Sequence, residues 1–147
     1  MPREHHTGAP EVWPPLLRRA VDQLNEYFEK QRTDFDLPLD LGGATTDFQR
    51  EIYDRLLSTE YGHVTSYGQL AKDIGKPEMA RAVGQAVGAN PIPILIPCHR
   101  VVASDGRLTG FAGGLRAKIA LLKLEGIDVD GDKPTSKVHP EVIPLDL

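Results

Sequence analysis

Apolar residues at Trp13, Leu16, Leu17, Ala20, Val21, Leu24, Tyr27 and Phe28 recur every three or four positions, and predict a helix over residues 12–32 with one wide buried face. The pattern then changes. Phe35-Asp36-Leu37-Pro38-Leu39-Asp40-Leu41 alternates as an extended edge segment does, and Gly42-Gly43 breaks the chain. Thr46 and Gln49 are spaced as a capping box, so a second helix starts there; Phe48, Ile52, Tyr53, Leu56 and Leu57 line one face and Gly62 closes it. Ser66 and Gln69 repeat the capping spacing ahead of a third helix carrying Leu70, Ala71 and Ile74. Gly75-Lys76-Pro77 turns the chain into a fourth helix over residues 78–89. A last helix covers residues 115–125, with Ile119, Leu121, Leu122 and Leu124 apolar and Gly126 as its stop. No internal repeat is visible.

The third and fourth helices, joined by a tight glycine-containing turn, form a helix-turn-helix pattern, which many plain helix pairs share. Arg81-Ala82-Val83-Gly84-Gln85-Ala86-Val87-Gly88-Ala89 contains two interior glycines. Each costs about 1 kcal/mol relative to alanine, so this helix gives up stability for close approach to something. Packing against another helix is one explanation, and lying against a nucleic-acid groove is the other. Ser104-Asp105-Gly106-Arg107 reads as a turn, part of a hairpin or loop, and Thr109-Gly110-Phe111-Ala112-Gly113-Gly114 as a flexible loop. That loop lacks a phosphate-binding lysine and a strand-to-helix context, which argues against phosphate cradling.

With 147 residues the chain fits one domain, or one domain with a reduced second segment. No apolar run is long enough to span a bilayer, and Pro91, Pro93 and Pro97 interrupt the most hydrophobic stretch. The N-terminus lacks the apolar core of a secretory signal, and a single cysteine fits a reducing compartment, so a cytoplasmic protein without membrane contact is expected. The formal net charge of −4 does not suggest a nucleic-acid protein. Its distribution is uneven, however. Acidic residues crowd the first sixty positions and the end, while Lys72, Lys76, Arg81, Arg100, Arg107, Arg116, Lys118 and Lys123 make the middle basic. An ordinary solvated surface accounts for charge alone equally well. His5 and His6 have no further ligands near them and read as a solvated end. Asp128, Asp130 and Asp132 imitate the start of a calcium loop, but Lys133 and His139 stand where its glycine and terminal glutamate belong, so no metal is expected.

The one cysteine, Cys98, lies in Ile94-Leu95-Ile96-Pro97-Cys98-His99-Arg100-Val101. Sulfur attacks as thiolate, and a neighbouring histidine can take the proton near neutral pH, so the pair reads as a nucleophile with its base. A lone cysteine is also commonly a small buried apolar residue. A cysteine hydrolase is a poor reading, because nothing marks an oxyanion hole.

Taken together, Ser66-Tyr67, Ala80-Arg81-Ala82-Val83-Gly84, Asn90-Pro91, the run from Pro93 through Pro97-Cys98-His99-Arg100-Val101, and Phe111-Ala112-Gly113-Gly114-Leu115 resemble the O6-alkylguanine-DNA alkyltransferases. Order and spacing agree over residues 48–126, and the Pro-Cys-His-Arg signature is highly specific. The resemblance implies a mostly α, winged-helix-like DNA-binding transferase domain with a helix-turn-helix over residues 46–127. A reduced N-terminal segment (residues 1–45, one helix plus an extended linker) would precede it, and an acidic, proline-containing tail (residues 128–147) would follow. It also implies direct, irreversible DNA repair. An alkyl group passes from O6 of guanine, or O4 of thymine, to the protein's own cysteine, once per molecule and without a cofactor. The partner would be double-stranded DNA carrying O6-alkylguanine, and the protein a monomer.

Residue by residue, the resemblance makes Cys98 the acceptor, His99 the base acting on the thiol through a water, and Glu125 the carboxylate orienting that histidine. Tyr67 would donate a proton or hydrogen bond to the leaving purine. Arg81 would enter the duplex in place of the rotated nucleotide, since an alkyl group inside a stacked duplex is out of reach of a buried thiol. Arg81, Ala82, Gly84, Gln85, Gly88 and Asn90 would form the DNA-binding element, docked in the minor groove through small residues, with Asn90 also tying it to the active-site segment. The carbonyl of Val101 and the amide of Ala112 would read the base edge, and Pro93 and Phe111 would line the alkyl pocket.

Departures from the family pattern fall at Ala112, Phe111 and Val87, and at the front, where the family usually has a full domain built around a small sheet. The competing class within the resemblance is the alkyltransferase-like proteins, lesion-binding modules that recruit another repair pathway. They lack the cysteine, which is present here as Cys98.

Overall fold

Proline fixes where the first helix begins. In the computed structural model, which describes residues 13–43 and 45–138, helix α1 spans Pro15–Phe28, with proline at the first helical position, where its missing N–H is no loss. It ends where Lys30 turns left-handed (φ 61°), so it is shorter at both ends than the spacing predicts. The buried stripe is also narrower than expected: Gln23 and Tyr27 are buried, whereas Leu16 and Phe28 are 48% and 49% exposed. Gln23 explains the difference. Its amide donates to the Asp36 carbonyl (3.2 Å) and accepts from the Asp36 N–H (2.9 Å), while Arg19 donates to the same carbonyl (2.7 Å). The alternating segment at residues 35–41 therefore lies along the helix through side-chain bonds and forms no strand. Tyr27 packs its ring against Phe35, centroids 5.4 Å apart. This unit covers residues 1–40 and a second covers residues 41–147. The paired histidines at positions 5 and 6 lie outside the described residues.

The second unit begins with α2, Asp47–Leu57, whose capping box is complete: Thr46 Oγ1 accepts from the Gln49 N–H and Gln49 Oε1 accepts from the Thr46 N–H. It stops at Ser58, four residues before Gly62, and Leu57 is 47% exposed where a buried position was predicted. The buried hydroxyl of Tyr53 donates to the Ala86 carbonyl (2.8 Å) and fixes α2 against the later helix that carries Ala86. Strand β1 (Thr65–Ser66) runs directly into α3 (Tyr67–Asp73). Ser66 ends the strand and caps the helix, its Oγ accepting from the Gln69 N–H; Gln69 itself bonds Asp73, so only half of the predicted box forms. The predicted turn at residues 75–77 leads through a short 3-10 turn, Pro77–Met79, into α4 (Ala80–Gly88), completing the helix-turn-helix.

Cys98–Arg100 form another 3-10 turn, and strand β2 (Val101–Val102) follows it at once. β2 pairs in parallel with β1, Thr65 opposite Val101 and Ser66 opposite Val102. This two-stranded sheet, short as it is, brings the start of α3 beside the end of the cysteine turn. Helix α5 spans Leu115–Leu124, with Glu125 at its C-cap and Gly126 left-handed (φ 84°) after it, as predicted. Val64, Val102, Leu108, Ile119, Leu122, Ile127 and Val138 form one apolar core. Val138 belongs to the segment read from composition as an acidic tail. Its residues up to 138 fold back: Val129 bridges Val138, Arg107 bridges Lys137, and the Leu108 N–H donates to the Ser136 carbonyl (2.8 Å). The mostly helical architecture with its helix-turn-helix agrees with the fold class expected from the sequence.

Candidate active site

Burial separates the residues that are charged for a reason from those that are merely solvated. Cys98, His99, Arg100, Lys118 and Glu125 are all buried in the second unit, and their hydrogen bonds make two clusters around the cysteine turn. In the first, His99 Nε2 lies 2.7 Å from Glu125 Oε2. An ionised carboxylate only accepts, so Nε2 carries the hydrogen and Nδ1 carries a lone pair. Nδ1 is buried and, among the described residues, has no hydrogen-bond partner. This tautomer leaves a proton acceptor that no described residue satisfies. Arg100 secures the carboxylate from its other side, with Nε donating to Oε1 (2.8 Å) and Nη2 to Oε2 (3.1 Å), while Nη1 donates to the Thr59 carbonyl (2.8 Å).

Burial pushes the His99 pKa below its usual value, although the Glu125 hydrogen bond pulls the other way. His99 is accordingly neutral at pH 7. Burial pushes the Cys98 thiol up, against smaller lowering effects from the Asn90 side chain and the Lys118 charge. The resting pair is therefore a thiol and a neutral imidazole, which suits removal of the thiol proton as sulfur attacks.

Lys118 forms the second cluster, which no sequence pattern marks. It is 1% exposed, and Nζ donates to the carbonyls of Val101 (2.7 Å), Leu108 (2.5 Å) and Gly110 (3.3 Å). Burial lowers its pKa to about 8, so the ammonium is still charged at pH 7, and a thiolate at Cys98 favours that charge. The three carbonyls belong to the strand after Cys98 and to the loop facing it, so one cation ties the two together.

At Cys98 opens a cavity of ≈ 310 Å³ lined also by Tyr67, Gly84, Val87, Gly88 and the loop from Thr109 to Ala112. Tyr67, Cys98, Phe111, Ala112, Gly84 and Gly88, predicted from distant parts of the sequence, thus share one space. Val101 is buried and is not among the residues lining the cavity, and its carbonyl is bonded to Lys118, which leaves one lone pair on that oxygen. Pro93 is exposed, pairs with Ile96, and is not among the residues lining the cavity. Thr109 lines the cavity and its Oγ1 lies 3.0 Å from the Tyr67 hydroxyl; sequence reading had not singled it out.

Helix α4 forms one side of this cavity. Arg81, Gln85 and Gly88 are exposed, Ala82 and Gly84 half-buried, and Asn90, just past the helix, buried. Arg81, Gln85 and Gly88 fall at helical spacing on one face. A Cβ at Gly88 would meet nothing within 4 Å, and one at Gly84 only the Tyr67 ring at an ordinary 3.6 Å. Packing inside the protein therefore does not demand glycine at Gly88. Asn90 bridges the helix-turn-helix to the cysteine segment: Nδ2 donates to the Ile96 carbonyl (2.8 Å) and Oδ1 accepts from the Ile92 N–H (3.0 Å). Among the described residues there is no group of three or more side chains placed to hold a metal ion, and no helix is long and apolar enough to cross a membrane.

Comparison with known proteins places these features in a family context. Residues 47–127 match the family described as 6-O-methylguanine DNA methyltransferase, DNA binding domain, and residues 2–41 match the ribonuclease-like domain of the same proteins. The chain is 53% identical over 112 residues to the methylated-DNA–protein-cysteine methyltransferase of Mycobacterium tuberculosis, covering 76% of this chain and 67% of that protein. It is 46% identical to the protein of that name from Methanosarcina acetivorans, covering 76% and 70%. The fold is similar to the crystal structure of Mycobacterium tuberculosis OGT in complex with DNA, with a TM-score of 0.70, 54% identity, and coverage of 73% of this chain and 64% of that one. It is also similar to S. pombe Atl1 in complex with damaged DNA containing O6-carboxymethylguanine, with a TM-score of 0.58, 29% identity, and coverage of 67% and 94%. The chain spans about two thirds of the length of the mycobacterial relatives it matches.

Proposed function

Since the chain belongs to the 6-O-methylguanine DNA methyltransferase family, we propose that it repairs DNA by moving an alkyl group from O6 of guanine to Cys98, irreversibly and once per molecule. The observation that carries this reading is Cys98 lining a cavity, next in the chain to a buried His99 that is hydrogen-bonded to Glu125. A soft sulfur nucleophile suits attack on an sp3 carbon, and the thioether formed has no hydrolytic way back. His99 takes the thiol proton at Nδ1, through a water, while Glu125 holds the ring in the tautomer that leaves Nδ1 basic. Tyr67, on the cavity wall, donates to the departing purine. No cofactor takes part.

DNA approaches along the exposed face of α4. Gly88, whose site is open on the protein side, and Gly84 let the backbone come close to a narrow groove. Arg81 fills the duplex when the damaged nucleotide rotates into the cavity, which could hold a purine of that kind. Val101 and Ala112 offer backbone groups to the base, and Phe111 contacts the alkyl group. O4-alkylthymine is a second substrate of the same chemistry. The chain acts as a monomer in the cytoplasm.

The test is intact-protein mass spectrometry after incubation with an O6-methylguanine oligonucleotide, followed by peptide mapping. One methyl on Cys98, in stoichiometric amount and without turnover, is expected. Tight binding with no change of mass would assign the chain to the lesion-binding class instead. Cys98→Ala should keep binding and lose transfer.

A further inference from the structure

Thr109 occupies a backbone conformation that a β-branched residue rarely adopts, with φ 61°. The C-terminal segment keeps it there. Its N–H donates to the Pro134 carbonyl (3.0 Å), and the bonds from Leu108 N–H to the Ser136 carbonyl (2.8 Å) and from Val138 N–H to the Gly106 carbonyl (3.0 Å) flank it. Such a conformation survives only where the surroundings over-determine it, and it often marks a functional position. The result here is to aim the Thr109 side chain into the cavity above Cys98.

Its hydroxyl there has two neighbours. Oγ1 lies 2.5 Å from the Leu108 carbonyl and 3.0 Å from the Tyr67 hydroxyl. A carbonyl can only accept, so Thr109 donates to Leu108, and Tyr67 must donate to Thr109. Leu108 O also accepts from Lys118 Nζ. A directed chain therefore runs from Tyr67 through Thr109 to Leu108, anchored by a buried cation. In the resting protein the phenolic hydrogen of Tyr67 is turned toward Thr109.

We infer that Thr109 is a positioning residue for the Tyr67 hydroxyl, which it holds at rest and stabilises once Tyr67 gives up its proton. This rests on the transferase reading and deepens it. As the Cys98 thiolate bonds to the alkyl carbon, the carbon–oxygen bond breaks and its electron pair stays on the guanine. Tyr67 passes its proton to that guanine anion and is left as phenolate. Thr109 then turns its hydroxyl from Leu108 to the phenolate oxygen, and Leu108 keeps the Lys118 ammonium. With the thiol proton passed to His99, one negative charge is present before carbon–oxygen cleavage, on sulfur, and one after it, on Tyr67. The segment once read as an acidic tail supports this arrangement by fixing the backbone at Thr109.

The test compares single-turnover methylation of Cys98 at saturating O6-methylguanine DNA in wild type, Thr109→Val and Thr109→Ser. A hydrogen bond to a charged group is worth roughly tenfold or more in rate, so Thr109→Val should slow transfer by at least about tenfold while Thr109→Ser stays near wild type. Lesion-DNA affinity should fall far less than the rate, which separates a role in the transfer step from one in binding. In a Tyr67→Phe background Thr109→Val should bring no further loss. Wild-type rates in Thr109→Val, or the same loss with Tyr67→Phe, overturn the inference. If Thr109→Val does not fold, Thr109→Ala against Thr109→Ser makes the same comparison, since only serine keeps the hydroxyl. No transfer by the wild-type chain overturns the transferase reading and this inference with it; transfer at equal rates by wild type and the valine variant overturns only the role of Thr109.

Discussion

His99 Nε2 donates to Glu125 Oε2 at 2.7 Å with both side chains wholly buried, and Arg100 shares that same carboxylate oxygen at 3.1 Å. The carboxylate thus sets the histidine tautomer and neutralises the arginine at once. Glu125→Gln keeps the shape but offers one acceptor oxygen for three N–H donors and leaves the Arg100 charge uncompensated. Breaking a buried pair in this way costs about 3–5 kcal/mol. Urea unfolding should show a loss of that order, and Cys98 methylation should fall more steeply than with Gln at a surface glutamate such as Glu78. A variant as stable and as fast as wild type would remove Glu125 from the site.

The pH dependence of transfer distinguishes base-assisted attack from attack by a standing thiolate. Burial holds His99 below its usual pKa and Cys98 above its own. The rate should therefore rise with pH through the depressed His99 value, below about 6.5, and level off near neutrality. The sign for stability is the same: between that value and about 6.5 the unfolded chain binds a proton that folded His99 does not, so stability falls as pH drops. A single-turnover rate that keeps climbing tenfold per pH unit to pH 9 would show that His99 takes no proton.

Local chemistry was legible and long-range assembly was not. The capping box at Thr46 and Gln49 and the Gly126 stop involve residues within a few positions of each other, so the sequence showed both. The meeting of Tyr67 with Cys98 depends on two residue pairs of a parallel sheet, a signal too short for any periodicity; only the family resemblance put both in one site. Lys118 reads as an ordinary surface lysine of α5. Its burial depends on three backbone carbonyls that no side-chain pattern reports. Val129 and Val138, which bridge each other, were obscured by the acidic and proline-rich composition around them, and most of the core they join comes from far earlier in the chain. Leu57 and Phe28 fit their helical stripes, yet the stripes are narrower than the spacing suggests.

Gly88 sets stability against DNA contact. Its site is open on the protein side and its backbone is helical, so Gly88→Ala should raise unfolding free energy by about 0.5–1 kcal/mol. The same methyl group, on the face proposed to meet a narrow groove, should weaken binding to duplex DNA. Thermal denaturation and a DNA titration on one preparation decide the matter. Gain of stability with unchanged DNA affinity would take α4 away from the groove.

Arg81 is exposed on that face, and the role proposed for it requires a duplex substrate. Unstacking a base costs a few kcal/mol, a cost that a free nucleobase does not incur. Arg81→Ala should therefore slow methyl transfer from duplex oligonucleotide by roughly tenfold or more while leaving reaction with free O6-methylguanine base nearly unchanged. Equal slowing of both would mean that Arg81 acts on the chemistry or the fold instead.

Lys118 makes the sharpest prediction at alkaline pH. Burial lowers its pKa to about 8, against about 10.5 in an unfolded chain. Between those values the unfolded chain retains a proton that the folded protein has lost, so this group makes the fold more stable as pH rises from about 8 to about 10.5. Lys118→Met removes that gain, along with the donors to Val101, Leu108 and Gly110. Urea unfolding of both proteins at pH 7 to 10 should show wild type ahead at pH 7, with the gap widening above pH 8 by at most about 1.4 kcal/mol per pH unit. Taking their difference cancels the titration of every other group. Loss of the ammonium also removes one of the influences that lower the Cys98 pKa, so Lys118→Met should slow methylation at pH 7. A gap that stays constant with pH would mean that Lys118 does not lose its proton in that range, and that the three carbonyls hold the ammonium more firmly than burial opposes it.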